Sequence, residues 1–185
     1  MSKFLKKNLS LVSRTGHWVD NRKRYLTMER NERVDEFSKN IIKDLKRNIS
    51  SFDLRTYPDD INKFYKELSK WLKINTNKLL ITDGADGGLL RIVNVFADKN
   101  DKIFYLNPSY AMYPVYCKIF KCNGLGFNIA PEENKKVIFE KMLQNINKLK
   151  PKIIALANPN QPVEIFFNKN ELIKILKLAK KIKSL

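Results

Sequence analysis

From residue 34 onward the apolar positions alternate between helical and strand-like spacing. Phe37, Ile41, Ile42 and Leu45 share one face of a helix expected over 34–48. Ile61, Phe64, Tyr65, Leu68 and Leu72 form a stripe along a second helix over 60–73, with Pro58-Asp59-Asp60 as its start signal. Residues 78–82 (KLLIT) then read as a short buried strand ending at the Asp83-Gly84 turn. Leu89, Leu90, Ile92, Val93 and Phe96 continue as a mostly buried helix from about Ala85. Further strands are expected over 102–106, 124–129 and 152–157, and helices over 110–121 and 137–149. Pro114 is tolerated if it sits in a first helical turn. A final helix runs to the chain end, and Asn168 with Glu171 is a capping pair for it.

Strands and helices alternate, and the strands are unbroken apolar runs. That pattern predicts an α/β fold with a mostly parallel sheet covered on both faces. Residues 1–32 have weak periodicity and read as an arm. The expected division is residues 1–50, arm and first helix, and residues 51–185, the α/β domain. No internal repeat or low-complexity linker interrupts it.

The 185 residues, 43% hydrophobic, are enough for one real core. No apolar stretch approaches the ~20 residues of a membrane span, and the basic start of the chain lacks a signal-peptide core. The expectation is a cytoplasmic protein without a membrane partner. Cys117 and Cys122 do not have zinc-knuckle spacing and read as two free thiols. The formal charge is +17. Lysine, isoleucine and asparagine recur throughout, so the charge is spread and reads as solvated faces. Aromatic and basic residues are not interleaved on one platform, which argues against nucleic-acid binding. His17 is the sole histidine, and no catalytic triad can be built around it.

Chemistry is expected at the strand ends. Gly84 allows a tight turn into a helix whose first amides lack partners, a place that suits a phosphate; an ordinary strand-to-helix turn is the plain alternative. Tyr110 follows a strand and a proline, where its ring could stack on a flat heteroaromatic group or simply pack at a helix start. The loop Asn158-Pro159-Asn160-Gln161-Pro162 projects amide side chains, which are hydrogen-bond donors, or is a proline-rich turn without a ligand.

Taken together, Tyr57-Pro58-Asp59, Asp83-Gly84-Ala85-Asp86-Gly87, Pro108-Ser109-Tyr110-Ala111-Met112-Tyr113 and the 158–162 loop resemble the first half of a histidinol-phosphate aminotransferase-like enzyme. Such enzymes are pyridoxal 5′-phosphate (PLP) dependent and have the aspartate aminotransferase fold. The resemblance implies a partial three-layer α/β/α large domain, incomplete here. It assigns the PLP phosphate to backbone amides of Ala85 and Asp86, ring stacking to Tyr110, and the phenolic oxygen to Gln161 in place of the family's asparagine. Tyr57 would reach the phosphate of a neighbouring subunit's cofactor, which implies a homodimer. Val163 and Glu164 replace the Thr and Gly that follow in the family, and Gly87 stands where Glu is common. Arg30-Asn31-Glu32 is similar to the family's arm segment near the substrate.

The family's pyridine-pairing aspartate, Schiff-base lysine and phosphate- and carboxylate-binding arginines would fall past Leu185, so the resemblance assigns no catalytic residue within this chain. It implies amino transfer from a donor such as glutamate to a keto or aldehyde acceptor. In histidinol-phosphate aminotransferase that acceptor is an imidazole-acetol phosphate. The chain alone is expected to be inactive, and poorly soluble or partly unfolded, because 78–82 would lack its usual strand partners. The alternatives are a non-catalytic remnant, a half that works with a separate chain, and a basic nucleic-acid-binding module.

Overall fold

The computed structural model describes residues 24, 32–33, 35–57, 61–130 and 134–185. Its described residues divide into two compact units, within residues 17–81 and within residues 82–185. The arm motif around Arg30 and Asn31, His17, and Pro58-Asp59-Asp60 lie outside the described residues.

In the 17–81 unit, α1 (Lys39–Asn48) starts later than its apolar stripe suggests. Ser38 is the cause: its hydroxyl accepts the Ile41 N–H at 3.3 Å and caps the helix there. A short α2 (Ser51–Arg55) was not expected from periodicity. Its signal is Ser50 with Asp53, a reciprocal capping box with bonds of 3.2 and 2.8 Å. The third helix, α3 (Ile61–Leu72), matches its stripe.

The expected buried strand over 78–82 does not form. Thr76–Lys78 is a 3-10 turn, the residues after it belong to no ladder, and Leu80 is 76% exposed. A strand is completed by neighbours, and the described chain supplies none here; the Ile81 N–H bonds the Tyr65 hydroxyl at 3.0 Å instead.

The 82–185 unit is a three-layer α/β/α sandwich. Its elements are α4 (Gly84–Phe96), β1 (Lys102–Asn107), α5 (Met112–Phe120), β2 (Asn123–Asn128), α6 (Lys135–Leu149), β3 (Ile153–Ala155) and α7 (Lys169–Ile182). All strands are parallel, in the order β2-β1-β3, with Ile103 opposite Gly124 on one side and Ile153 on the other. Right-handed crossovers dictate the layering. The chain steps one way from β1 to β2 through α5 and back past β1 to β3 through α6, so the two helices land on opposite faces. Strand alternation on β1 serves both. Ile103 packs with Val93 of α4 and with Tyr116 and Cys117 of α5. Phe104 and Leu106 pack with Ile138, Phe139, Met142 and Ile146 of α6 and Ile175 of α7.

Pro114 falls in the first turn of α5, where its missing N–H costs nothing. The α7 capping box forms as expected, with Glu171 N–H donating to Asn168 at 3.0 Å and Asn168 N–H to Glu171 at 2.8 Å. Lys121, Lys150 and Lys183 close α5, α6 and α7 in the left-handed region. A cation at a helix carboxyl end is favourable, so part of the positive charge complements helix dipoles. Leu185 bonds the outer edge of β3 in the parallel pattern, accepting from Ile154 N–H at 2.9 Å and donating to Lys152 C=O at 3.0 Å.

Both cysteines are free. Burial pushes the Cys117 thiol up to about 11, so it is protonated and unreactive at neutral pH. The unfolded thiol ionises near 9, so alkali removes protons from the unfolded chain first. Stability is therefore expected to be intact below pH 9 and to fall as pH rises toward 11. Burial of Tyr105 and Tyr113 raises their phenols and acts in the same direction at higher pH. Urea midpoints measured between pH 8 and 11 check this; a flat profile contradicts it. A thiol reagent at pH 8 is expected to label Cys122 well before Cys117.

Candidate functional site

The chain leaves β1 toward α5 and leaves β3 toward α7, on opposite faces of the sheet. That divergence opens a crevice at the carboxyl ends of two adjacent parallel strands, where open α/β sheets bind ligands. Three segments meet around it: the first turn of α4, residues 108–111, and the loop between β3 and α7.

Gly84 opens α4 with φ +77°, a left-handed conformation that favours glycine. Asp83 stands at the N-cap but makes no side-chain cap, so the next amides, those of Ala85 and Asp86, receive no acceptor from it. The Asp83 carboxylate is paired with Arg91, which holds it below the usual carboxylate range. It lies where a Cβ on residue 87 would go, so Gly87 makes room for the Asp83–Arg91 pair. The glycine that departs from the family pattern thus has a local reason.

Tyr110 is half-buried, and its hydroxyl donates to Asp86 Oδ1 at 2.9 Å, tying the 108–111 loop to the first turn of α4. The Tyr116 hydroxyl donates to the same carboxylate oxygen, and to the Asp86 carbonyl at 3.1 Å. Tyr113 meets the Tyr110 ring edge-on, with centroids 5.6 Å apart.

The third segment folds back on itself. Asn158 pairs reciprocally with Phe167, donating to its carbonyl at 3.1 Å and accepting its N–H at 2.8 Å. Two residues on, Asn160 pairs with Ile165 in an antiparallel bridge. Asn160 is fully buried and its Nδ2 donates to Val163 C=O at 2.9 Å and to Pro108 C=O at 3.1 Å. The second of these crosses the crevice to the Tyr110 loop. Asn160 is turned inward, and Gln161 sits in the exposed turn at the tip. The peptide bonds before Pro108, Pro159 and Pro162 are cis.

The structure thus joins Asp86 to Tyr110 directly, and the loop of Gln161 to the loop of Tyr110 through Asn160. Ala85 lies exposed beside Asp86 in the first turn of α4. Tyr57 belongs to the 17–81 unit and is 93% exposed. Beside Tyr110 opens a hollow of about 390 Å³ lined by Tyr105, Asn107, Ser109, Pro114 and Gly126. Two buried polar atoms at this end, Ser109 Oγ and Asn160 Oδ1, have no hydrogen-bond partner. Sequence reasoning missed the Asp86 carboxylate, Tyr116, Asn158 and Asn160. The two asparagines of the 158–162 loop were a visible signal; the reach of Tyr116 to Asp86, 30 residues earlier, was not. Among the described residues, no group of His, Cys, Asp or Glu could hold a metal ion, and no helix is long and apolar enough to cross a membrane.

A parallel α/β sandwich with a ligand crevice at a strand divergence defines a broad class of enzymes and binding domains. Within it, this chain belongs to the aminotransferase class I and II family, whose model matches residues 24–185. It is 31% identical over 152 residues to histidinol-phosphate aminotransferase of Clostridium novyi, a stretch covering 82% of this chain and 42% of that protein. It is 28% identical over 156 residues to the enzyme of that name from Caldanaerobacter subterraneus, covering 84% and 44%. The chain therefore spans less than half the length of these curated relatives. Its fold is similar to that of histidinol-phosphate aminotransferase from Sinorhizobium meliloti, crystallised with pyridoxal-5′-phosphate. The TM-score is 0.64 at 17% identity, over 76% of this chain and 37% of that one. Cystalysin of Treponema denticola aligns with a TM-score of 0.61 at 20% identity, over 78% and 37%.

Proposed function

We propose that these residues form the cofactor-facing part of a PLP-dependent, histidinol-phosphate aminotransferase-like transaminase. The observation that carries this reading is the hydrogen-bonded closure of three loops, Asp86 to Tyr110 and Asn160 to Pro108, around one strand-end crevice. The residues present suit the cofactor. Amides of Ala85 and Asp86 at an uncapped helix start offer donors and a positive dipole end to a phosphate. The Tyr110 ring offers an aromatic face to a pyridine, and the Gln161 carboxamide offers a donor to a phenolic oxygen. When bound, PLP supplies the electron sink for reaction at an amino acid's α-carbon. The protein's part here is to hold the phosphate, fix the ring plane and orient the oxygen. Tyr57, exposed in the other unit, is assigned to the cofactor phosphate of a second subunit in a homodimer.

The reading extends to amino transfer from a donor such as glutamate to a keto or aldehyde acceptor, in the cytoplasm. Support comes from the family match, from the relatives being histidinol-phosphate aminotransferases, and from the two free thiols. None of the residues joined at the crevice is a lysine, so the chain by itself is expected to hold the cofactor without turnover. Transaminase activity from the purified chain overturns that expectation.

Pyridoxamine 5′-phosphate is the apt probe, because it has no aldehyde to react with surface lysines. Titration followed by its own fluorescence is expected to show saturable binding. Tyr110→Ala, which removes the stacking ring, is expected to weaken binding about tenfold. Absence of saturable binding, or equal affinity in the variant, defeats the reading.

A further inference from the structure

We propose that the Asp86 carboxylate and the Tyr116 hydroxyl form a clamp that sets the plane of the Tyr110 ring, which makes Tyr116 a positioning residue for the cofactor. The inference rests on the functional reading above and adds a residue that reading does not use.

Three observations carry it. First, the hydroxyls of Tyr110 and Tyr116 converge on one oxygen, Asp86 Oδ1. A tyrosine ring at a loop end can pivot about its side-chain bonds. A second anchor at the phenolic end, a directional hydrogen bond, removes that freedom. Second, Asp86 is itself fixed. Tyr116 also donates to the Asp86 backbone carbonyl at 3.1 Å, and Tyr116 is only 3% exposed in the middle of α5. Its ring packs in the core with Val93, Ile103 and Ile153, so its hydroxyl projects from a rigid base. Third, the Tyr110 ring is held from the side as well, edge-on by Tyr113, which lies one helical turn before Tyr116 on α5. A single helix thus sets the ring through a direct contact and through Asp86. The same aspartate contributes one of the first-turn amides assigned to the phosphate. The clamp therefore couples the spacing of the phosphate cradle to the depth of the stacking ring.

Tyr116 acts through Asp86 and Tyr110, so it is distinguished from a purely structural tie between α4 and α5 by which ligand feels its loss. Inorganic phosphate probes the cradle alone, whereas pyridoxamine 5′-phosphate probes cradle and ring together. Tyr116→Phe keeps the ring packing and deletes the hydroxyl. It is expected to weaken pyridoxamine 5′-phosphate about fivefold, the effect of one hydrogen bond, and to leave the competing affinity of inorganic phosphate unchanged. Tyr110→Phe, on a half-buried loop residue where the core is untouched, is expected to give a similar loss. The double variant is expected to lose no more than either alone, because both break one chain of contacts. Equal loss of both ligands, additive losses, or no loss in Tyr116→Phe overturns the clamp. If the unaltered chain binds no pyridoxamine 5′-phosphate, the functional reading falls and the clamp with it. If it binds while Tyr116→Phe is indistinguishable, only the clamp falls.

Discussion

Phe104→Ala is expected to lower the stability of the 82–185 unit by about 3–5 kcal/mol. Phe104 is 1% exposed on the central strand, tilted against Phe127 at 6.0 Å and packed into the cluster that joins the sheet to α6 and α7. Removing the ring deletes its transfer energy and leaves a cavity that neighbours on a hydrogen-bonded ladder cannot close. Against a typical domain stability of ~5–15 kcal/mol, the loss takes a large share. Urea unfolding by circular dichroism measures it, and amide exchange on β1 locates it. A loss below about 1 kcal/mol means that this layer is not packed as described.

Asn160→Asp is isosteric and is expected to be nearly as damaging. The Asn160 Nδ2 group donates to two carbonyls, of Pro108 and Val163, in a fully buried position. The substitution replaces a double donor by an acceptor facing two acceptors, and brings a charge out of water. About 3 kcal/mol of stability or more is expected to be lost at neutral pH. The defect has a signed pH dependence. Burial without donors raises the introduced carboxyl's ionisation above its unfolded value. Stability is then retained in acid, where the protonated form donates once, and lost as pH rises through the raised value. Because Asn160 holds the Gln161 loop to the Tyr110 loop, binding of pyridoxamine 5′-phosphate is expected to fall with it. Wild-type stability and affinity in this variant would show that the crevice is held by something else.

Much of the fold was legible along the chain, because alternating helical and strand-like runs report directly which faces are buried. β1, β2, α6 and α7 lie within a few residues of their expected limits. The 78–82 strand was misread for a specific reason. An apolar run describes burial potential, but only a neighbouring strand turns it into a ladder, and Leu80 stays exposed without one. Short α2 escaped because five residues carry too little periodicity, although its capping box was visible. At the site, Tyr110 and the 158–162 loop stood out by motif and position. The bonds from Tyr110 and Tyr116 to Asp86 and from Asn160 to Pro108 did not, since each spans 24 residues or more and depends on how layers dock.

The order of residues was sufficient to establish the alternating architecture, the helix caps and the family, because these depend on local pattern and on motifs read in line. Three-dimensional packing alone decided that two tyrosines share one carboxylate and that a buried asparagine bridges two loops. Hydrogen bonds between distant segments are short-ranged and directional, so no spacing in the chain encodes them until right-handed crossovers have brought the strand ends together.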